Sequence, residues 1–171
     1  MNSNLKIKCA TEADIPLILY FIKELAEYEK LRHEVVATEE QLRETLFGAK
    51  PYAEVIIGYL DEKPVSFALF FHNYSTFLAK PGLYLEDLYV LPEVRGHGIG
   101  QIMLAYLAKL AKERGCGRFE WWVLNWNEPA IKFYGLLGAK PMDEWTVHRV
   151  SGQALDDLAA RYNDKLDDSM H

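Results

Sequence analysis

Cysteine is scarce: Cys9 and Cys116 are the only two in 171 residues, and they form no ligand-spaced or redox group. That removes a disulfide-stapled scaffold and a cysteine-based metal site from consideration, and it suits a reducing cytoplasm. His33, His72, His97, His148 and His171 are just as scattered, so no metal is expected. No apolar run approaches the ~20 residues that cross a bilayer, and the first residues hold no signal-peptide core, so the expectation is a cytoplasmic chain with no membrane partner. Positive charge is in deficit: 19 Lys and Arg against 25 Asp and Glu leave a net −6. That argues against a nucleic-acid partner and is compatible with a cationic ligand. Repeats, low-complexity tracts and linkers are missing too. With half its residues hydrophobic, the chain reads as one domain over 1–171 with a substantial core.

The pattern along the chain is strand, two helices, three strands, then alternating helix and strand, ending in a helix. Leu5 to Ala10 is a first strand. Thr11 with Asp14, and Thr38 with Gln41, have the capping-box spacing that opens a helix. Tyr52 to Leu60 and Pro64 to His72 are strands around a tight Asp61-Glu62-Lys63 turn, and Asn73 to Pro81 is expected to be a loop. Arg118 to Leu124 is a strand, and Asn127 caps a helix that tolerates Pro129 in its first turn. Met142 to Val150 is expected as a last strand and Gln153 to Leu166 as a terminal helix. The expected fold class is α/β (α+β), a mixed central sheet with helices on both faces.

The most informative stretch is Leu83 to Leu110. Leu83-Tyr84-Leu85-Glu86-Asp87-Leu88-Tyr89-Val90 reads as a strand with carboxylates at its middle. Arg95-Gly96-His97-Gly98-Ile99-Gly100 follows, and then a helix whose apolar face is Ile99, Ile102, Met103, Tyr106, Leu107 and Leu110. A glycine-rich turn that opens a helix points unpaired N–H groups at the positive end of the helix dipole, which makes a phosphate cradle. Gly100 is followed by Gln101 and Ile102, not by the Lys-Ser/Thr of a nucleotide-hydrolysing loop, and the glycine spacing is not that of a dinucleotide fingerprint.

Strand, Arg-x-x-Gly-x-Gly turn and helix together resemble the GNAT superfamily of acetyl-CoA-dependent acetyltransferases. The resemblance is strongest to the diamine group, the spermidine/spermine and thialysine N-acetyltransferases. It is carried by Ile22-Lys23-Glu24-Leu25-Ala26-Glu27-Tyr28-Glu29, Tyr84-Leu85-Glu86-Asp87, Arg95 to Gly100, Trp126-Asn127-Glu128-Pro129 and Phe133-Tyr134. It implies a GNAT-like domain, a small-molecule amine substrate, acetyl-CoA as co-substrate and a homodimer. The loop Tyr74-Ser75-Thr76-Phe77-Leu78-Ala79-Lys80 departs from the polyamine pattern, having no Asp, and is more similar to the thialysine type. A lysine-like amine or short diamine is therefore at least as well supported as a long polyamine.

The chemistry assigns the roles. The N–H groups of Gly96, His97, Gly98, Ile99, Gly100 and Gln101 would hold a pyrophosphate, with Arg95 leading the turn. By resemblance, the backbone of Leu88, Tyr89 and Val90 would pair with the pantetheine amides as an added strand, and Asn127, Glu128, Pro129 and Ala130 would touch the cofactor. An alkylamine with a pKa of about 10.4 must lose a proton before it attacks, and Glu86 is the candidate base. Asp87, its neighbour, is expected on the opposite strand face. Tyr134 is implied as the acid that protonates the departing thiolate. Tyr28, Glu29, Glu86, Asp87 and Trp122 are the candidate substrate contacts, since aromatic faces and carboxylates both attract cations. Of Trp121 and Trp122, adjacent on a strand, at least one belongs to the core. Cys116, in a Gly-Cys-Gly turn at a helix end, is not placed for an acyl-cysteine route. Two other functions fit the same cradle: a protein N-acetyltransferase, and a non-catalytic acetyl-CoA sensor that has no use for Glu86 and Tyr134.

Overall fold

The computed structural model describes residues 4–162. It divides into two compact units, one through Trp126 and one from Asn127 onward.

In the first unit five strands lie in sequence order: β1 (Lys6–Cys9), β2 (Glu54–Leu60), β3 (Lys63–Ser75), β4 (Lys80–Val90) and β5 (Arg118–Trp121). The first four are antiparallel to their neighbours and β5 is parallel to β4, so the sheet is mixed, as expected. The Asp61–Glu62 turn has both residues at positive φ, +47° and +63°, the left-handed pair whose twist matches a hairpin. The expected loop from Asn73 to Pro81 is a correction: β3 and β4 stay paired through Asn73↔Gly82, Tyr74↔Pro81 and Ser75↔Lys80. Turn-forming residue types misled the reading, because a long hairpin partner overrides local preference.

Helices α1 (Ile15–Tyr28) and α2 (Glu39–Phe47) cover one sheet face and α3 (Ile99–Glu113) the other. The faces can be followed along β3. Phe67 stacks on Phe21 of α1 with centroids 5.2 Å apart. Its neighbour Ser66, paired with Gly58, points the other way: a Cβ at Gly58 would come 2.3 Å from Ser66 Oγ and 3.2 Å from Met103 Sδ of α3. The α1 side of the core is built from Ile15, Ile18, Leu19, Phe21, Leu42, Leu46, Val55, Ile57, Phe67 and Tyr89. Burying each such side chain contributes roughly 1.5–3 kcal/mol. Both capping boxes form. Thr11 N–H donates to Asp14 Oδ2 at 2.7 Å, and Gln41 N–H donates to Thr38 Oγ1 at 3.2 Å. At its far end α3 is fastened to β2, where Arg114 donates through Nη1 and Nη2 to both oxygens of Glu54 at 2.5 and 2.8 Å.

The second unit contains α4 (Glu128–Leu136) and α5 (Gln153–Ala159). The expected strand Met142–Val150 does not form; every residue of it is exposed, and it pairs with no described strand. The aromatic and β-branched residues Trp145, Thr146, Val147 and Val150 look strand-like, but strand preference is realised only against a ladder and a covered face. The terminal helix starts at Gln153 as expected, and the part of it beyond residue 162 lies outside the described residues. Among the described residues no helix is long and apolar enough to cross a membrane.

Candidate active site

β4 is bonded to β3 along its whole length but to β5 only from Gly82 to Leu85. From Glu86 to Val90 no strand among the described residues lies beside its second edge, the geometry that accepts an extended ligand as an added strand. The departure begins at a bulge. The β3 register steps from Leu69↔Asp87 to Phe70↔Leu85, leaving Glu86 as the extra, unpaired residue.

The bulge shifts the phase of the strand at this point. Leu85, opposite Phe70, faces α3, whereas Asp87, opposite Leu69, faces α1 together with Tyr89. Glu86 itself is exposed. Asp87 is the less exposed carboxyl of the pair, half-buried: its desolvation, then the charges of Glu86 and Glu29, push it from its ordinary 3.8 up to about 7. Glu29 caps the C-terminal end of α1, and its own burial raises its pKa. Three carboxylates thus gather where α1 ends above the β4 bulge. A group poised near neutrality takes a proton and returns it at little cost, which is what acid–base work requires.

At the next turn, Gly96 and Gly98 have φ of +81° and +79°, a conformation that L side chains resist. A Cβ at either would meet nothing within 4 Å, so open space lies in front of both. Gly98 is the N-cap of α3, and the first bond into the helix runs from Ile102 N–H to Gly98 C=O at 3.0 Å. Ile99, Gly100 and Gln101 N–H are therefore the unpaired donors of this helix end. The His97 ring is tied back to the turn, its Nδ1 lying 3.2 Å from Val94 O and 3.0 Å from Arg95 O. Open backbone donors at a positive dipole end fit a pyrophosphate, so this part of the chain suits acetyl-CoA.

Arg95 is placed differently from a simple phosphate contact. Its Nε donates to Val90 O at 2.9 Å, on the open edge of β4. Its guanidinium lies 4.9 Å from the Tyr28 ring centre and 5.2 Å from that of Tyr89. Tyr28 also approaches Trp126 at 6.2 Å, and Lys30 Nζ sits 5.2 Å over the same indole. Trp122 is exposed and meets the Tyr84 ring edge-on at 5.8 Å, while Trp121 packs on Phe119 at 5.0 Å. The first unit thus groups Tyr28 with Arg95 and Tyr89, and Glu29 with Glu86 and Asp87, while Trp122 is placed through Tyr84.

Asn127, Glu128, Pro129, Ala130 and Tyr134 belong to the second unit. Asn127 is buried and caps α4, its Oδ1 accepting from Ala130 N–H at 3.4 Å. Pro129 sits in the first turn, where its missing N–H costs nothing. Tyr134 is half-buried, with its ring 5.5 Å from that of Phe133. Sequence reasoning missed the bulge, the burial of Asp87 and the Arg95–Tyr28–Tyr89 stack. The adjacent Glu-Asp pair was the one visible signal, since two carboxylates inside an apolar strand are costly without a reason.

An antiparallel sheet whose last strand runs parallel and pairs with only half of β4, beside a glycine turn that opens a helix, is an arrangement suited to a phosphate-bearing ligand lying along a strand edge. The sequence profile of the Acetyltransferase (GNAT) family matches residues 20–139, and the chain belongs to that family. Thialysine N-epsilon-acetyltransferase of Mus musculus is 37% identical over 91% of this chain and 98% of its own length. The L-ornithine N5-acetyltransferase of Arabidopsis thaliana is 33% identical over 88% of this chain and 86% of its own. Among solved structures, an integron cassette protein from the mobile metagenome of V. cholerae is similar with a TM-score of 0.78. It is 26% identical, with 92% of this chain and 99% of that chain covered.

Proposed function

We propose that this enzyme transfers an acetyl group from acetyl-CoA to the primary amine of a small molecule, a lysine-like amine or short diamine, within one catalytic domain. The observation that carries the reading is Asp87, a half-buried carboxyl pushed up to about 7 beside an open strand edge and a glycine turn that opens a helix. Its support from relatives is their naming as thialysine and ornithine acetyltransferases, both acting on amines of basic amino acids.

Acetyl-CoA supplies a thioester whose acyl carbon accepts an amine lone pair and whose sulfur leaves as thiolate. The cradle from Gly96 to Gln101 binds the pyrophosphate, and the Leu88–Val90 edge aligns the pantetheine arm. Asp87 and Glu29 attract the ammonium and hold it at the bulge, next to the aromatic faces of Tyr28 and Trp122. The amine proton passes to the Glu86–Asp87 pair. Exposed Glu86 delivers it to water, and Asp87 near neutrality keeps the site from fixing a permanent charge. Tyr134 donates the proton that the thiolate needs. The assembly is proposed as a cytoplasmic homodimer.

The test is free CoA release from acetyl-CoA over a panel of amines. Turnover with short diamines or lysine-like amines is expected. Tyr134→Phe keeps the ring and removes the hydroxyl, so kcat is expected to fall about tenfold to a hundredfold, the low end for an acid group. Binding of acetyl-CoA without turnover of any amine would refute the reading, and full kcat in the Phe variant would refute the role of Tyr134.

A further inference from the structure

We infer that Lys30 is a modification site: when no small amine is present, the enzyme transfers the acetyl group of acetyl-CoA to the ε-amine of its own Lys30. This inference rests on the acetyl-transfer reading above and extends it to an acceptor within the chain.

The backbone first singles the residue out. Lys30 follows the last turn of α1 with a φ of +62°, in the left-handed region. Its N–H donates to Glu27 C=O at 3.1 Å, and Leu31 N–H reaches back to Ala26 C=O at 2.8 Å. That pair of bonds closes a helix through a left-handed residue, a position that glycine fills without steric cost. A lysine here carries strain that glycine would not, and such strain gathers where a side chain serves a site.

The side chain is also held in its own way. Lys6 and Lys8 pair with Glu62, and Lys109 with Glu113. Lys30 Nζ instead lies 5.2 Å over the Trp126 indole, and among the described residues it forms no ion pair. A ring attracts the ammonium without supplying a counter-charge, and with Trp126 exposed that hold is weak enough to exchange. Trp126 approaches Tyr28 at 6.2 Å, so the ammonium stands beside an aromatic face proposed above for the substrate amine.

The neighbouring Glu29 is close enough to Asp87 for its charge to act there, so the end of α1 brings a carboxyl to the β4 bulge and an amine one residue further on. A lysine side chain spans roughly 6 Å at ~1.5 Å per bond. The tether presents its amine at an effective concentration of roughly millimolar. An alkylammonium must lose a proton before it attacks. The freed nitrogen then forms the C–N bond to the acyl carbon as the C–S bond breaks, and that electron pair leaves on sulfur. Of the two protons the nitrogen gives up, one passes through the Glu86–Asp87 pair to water and one ends on sulfur. The products are acetyl-lysine and the free CoA thiol.

The whole chain is incubated with acetyl-CoA and no added amine, and acetylation is followed by intact mass and peptide mapping. A single acetyl group is expected, on Lys30, at a rate independent of protein concentration, as a reaction within one chain requires. Asp87→Asn should slow it about tenfold or more. Saturation with lysine, ornithine or putrescine, whichever is turned over, should suppress it. Without any cofactor, Lys30→Gly should melt no lower than the wild type, because glycine suits the left-handed position. Acetyl groups spread over many lysines, at a rate that Asp87→Asn leaves unchanged, would be uncatalysed chemistry and would overturn the inference. A Lys30→Gly variant that melts lower overturns it as well, since the lysine would then serve packing. A wild type that acetylates one of the three amines while Lys30 stays unmodified sinks this inference and leaves acetyl transfer standing. A protein that acetylates neither Lys30 nor any of the amines defeats both. Should the Asp87 variant not fold, suppression by the amine decides in its place.

Discussion

The two halves of β4 were built from similar residues and ended with different duties. From Gly82 to Leu85 the strand is bonded on both edges, with Leu83 fully buried and Leu85 nearly so. From Glu86 to Val90 it keeps one ladder, carries two carboxylates and ends where Arg95 takes a carbonyl. The closed half satisfies its own backbone and holds the sheet together. The open half leaves one backbone edge without a strand among the described residues and a carboxyl half-buried, both unfavourable unless a ligand uses them. Structure and chemistry are therefore divided within eleven residues, and substitutions in the two halves should fail in different ways.

The largest effect is expected where the open half meets the cradle. Gly98→Val forces a branched residue to a φ of +79° and fills the space in front of the turn. The backbone strain costs about 1–3 kcal/mol, and the thermal shift produced by CoA should disappear while the variant still folds. A variant with the wild-type shift would remove the cradle from the cofactor site.

Asp87→Asn should next lower kcat/KM by about 10²- to 10⁴-fold, the usual weight of an acid–base group. It should also make the protein more stable. Asp87 holds its proton more tightly folded, at about 7, than at the ordinary 3.8. The folded state therefore binds the extra proton between those values, and stability falls as pH rises from about 4 to 7. At pH 8 the Asn variant is expected to gain on the order of 2–4 kcal/mol, and near pH 4 nothing. Denaturant melts at both pH values check this, and equal gains at both would show that the carboxyl is not perturbed by burial.

In the closed half, Leu83→Ala should cost roughly 2–5 kcal/mol of stability, as buried leucine truncations do. Its kcat at a temperature well below melting should change little. A specific loss of kcat without loss of stability would blur the division between the halves. The smallest effect is expected at Glu86→Gln, because the side chain is exposed and water can also carry the proton. The rate near neutrality should drop severalfold, and the deficit should shrink at high pH, where more amine is already free. A loss as large as that of Asp87→Asn would make Glu86 the principal base.

Much of this was readable from residue order. The cradle, the two-helix face, the Thr38 capping box and the Asn127 cap follow from short-range rules, in which side chain and backbone partner lie within four residues. The long β3–β4 hairpin was hidden because its pairing joins Asn73 to Gly82 and overrides a stretch rich in turn formers. Met142 to Val150 erred in the other direction, a stretch with aromatic and β-branched residues that found no ladder among the described residues. At the site, the chain named Glu86 as the candidate base and Asp87 as its neighbour on the opposite strand face. Which of two adjacent carboxyls is buried depends on a register step between strands, and no local pattern encodes it. The Arg95 stack was unreadable for the same reason, because Tyr28 and Tyr89 are brought to it by packing across the sheet.

The bulge has a further consequence for how this strand tolerates change over evolutionary time. Leu83, Leu85, Asp87 and Tyr89 all carry odd numbers, yet the first pair faces α3 and the second faces α1. Glu86 is the extra count that shifts the phase between them. Its side chain is exchangeable, but its presence is not: removing that single position would rotate every later residue by one step, sending Tyr89 out of the α1 core and Asp87 away from Glu29. An insertion or deletion should be tolerated better at the Thr76–Ala79 turn, where no parity has to be preserved. In this part of the chain, length constrains the structure more tightly than composition does.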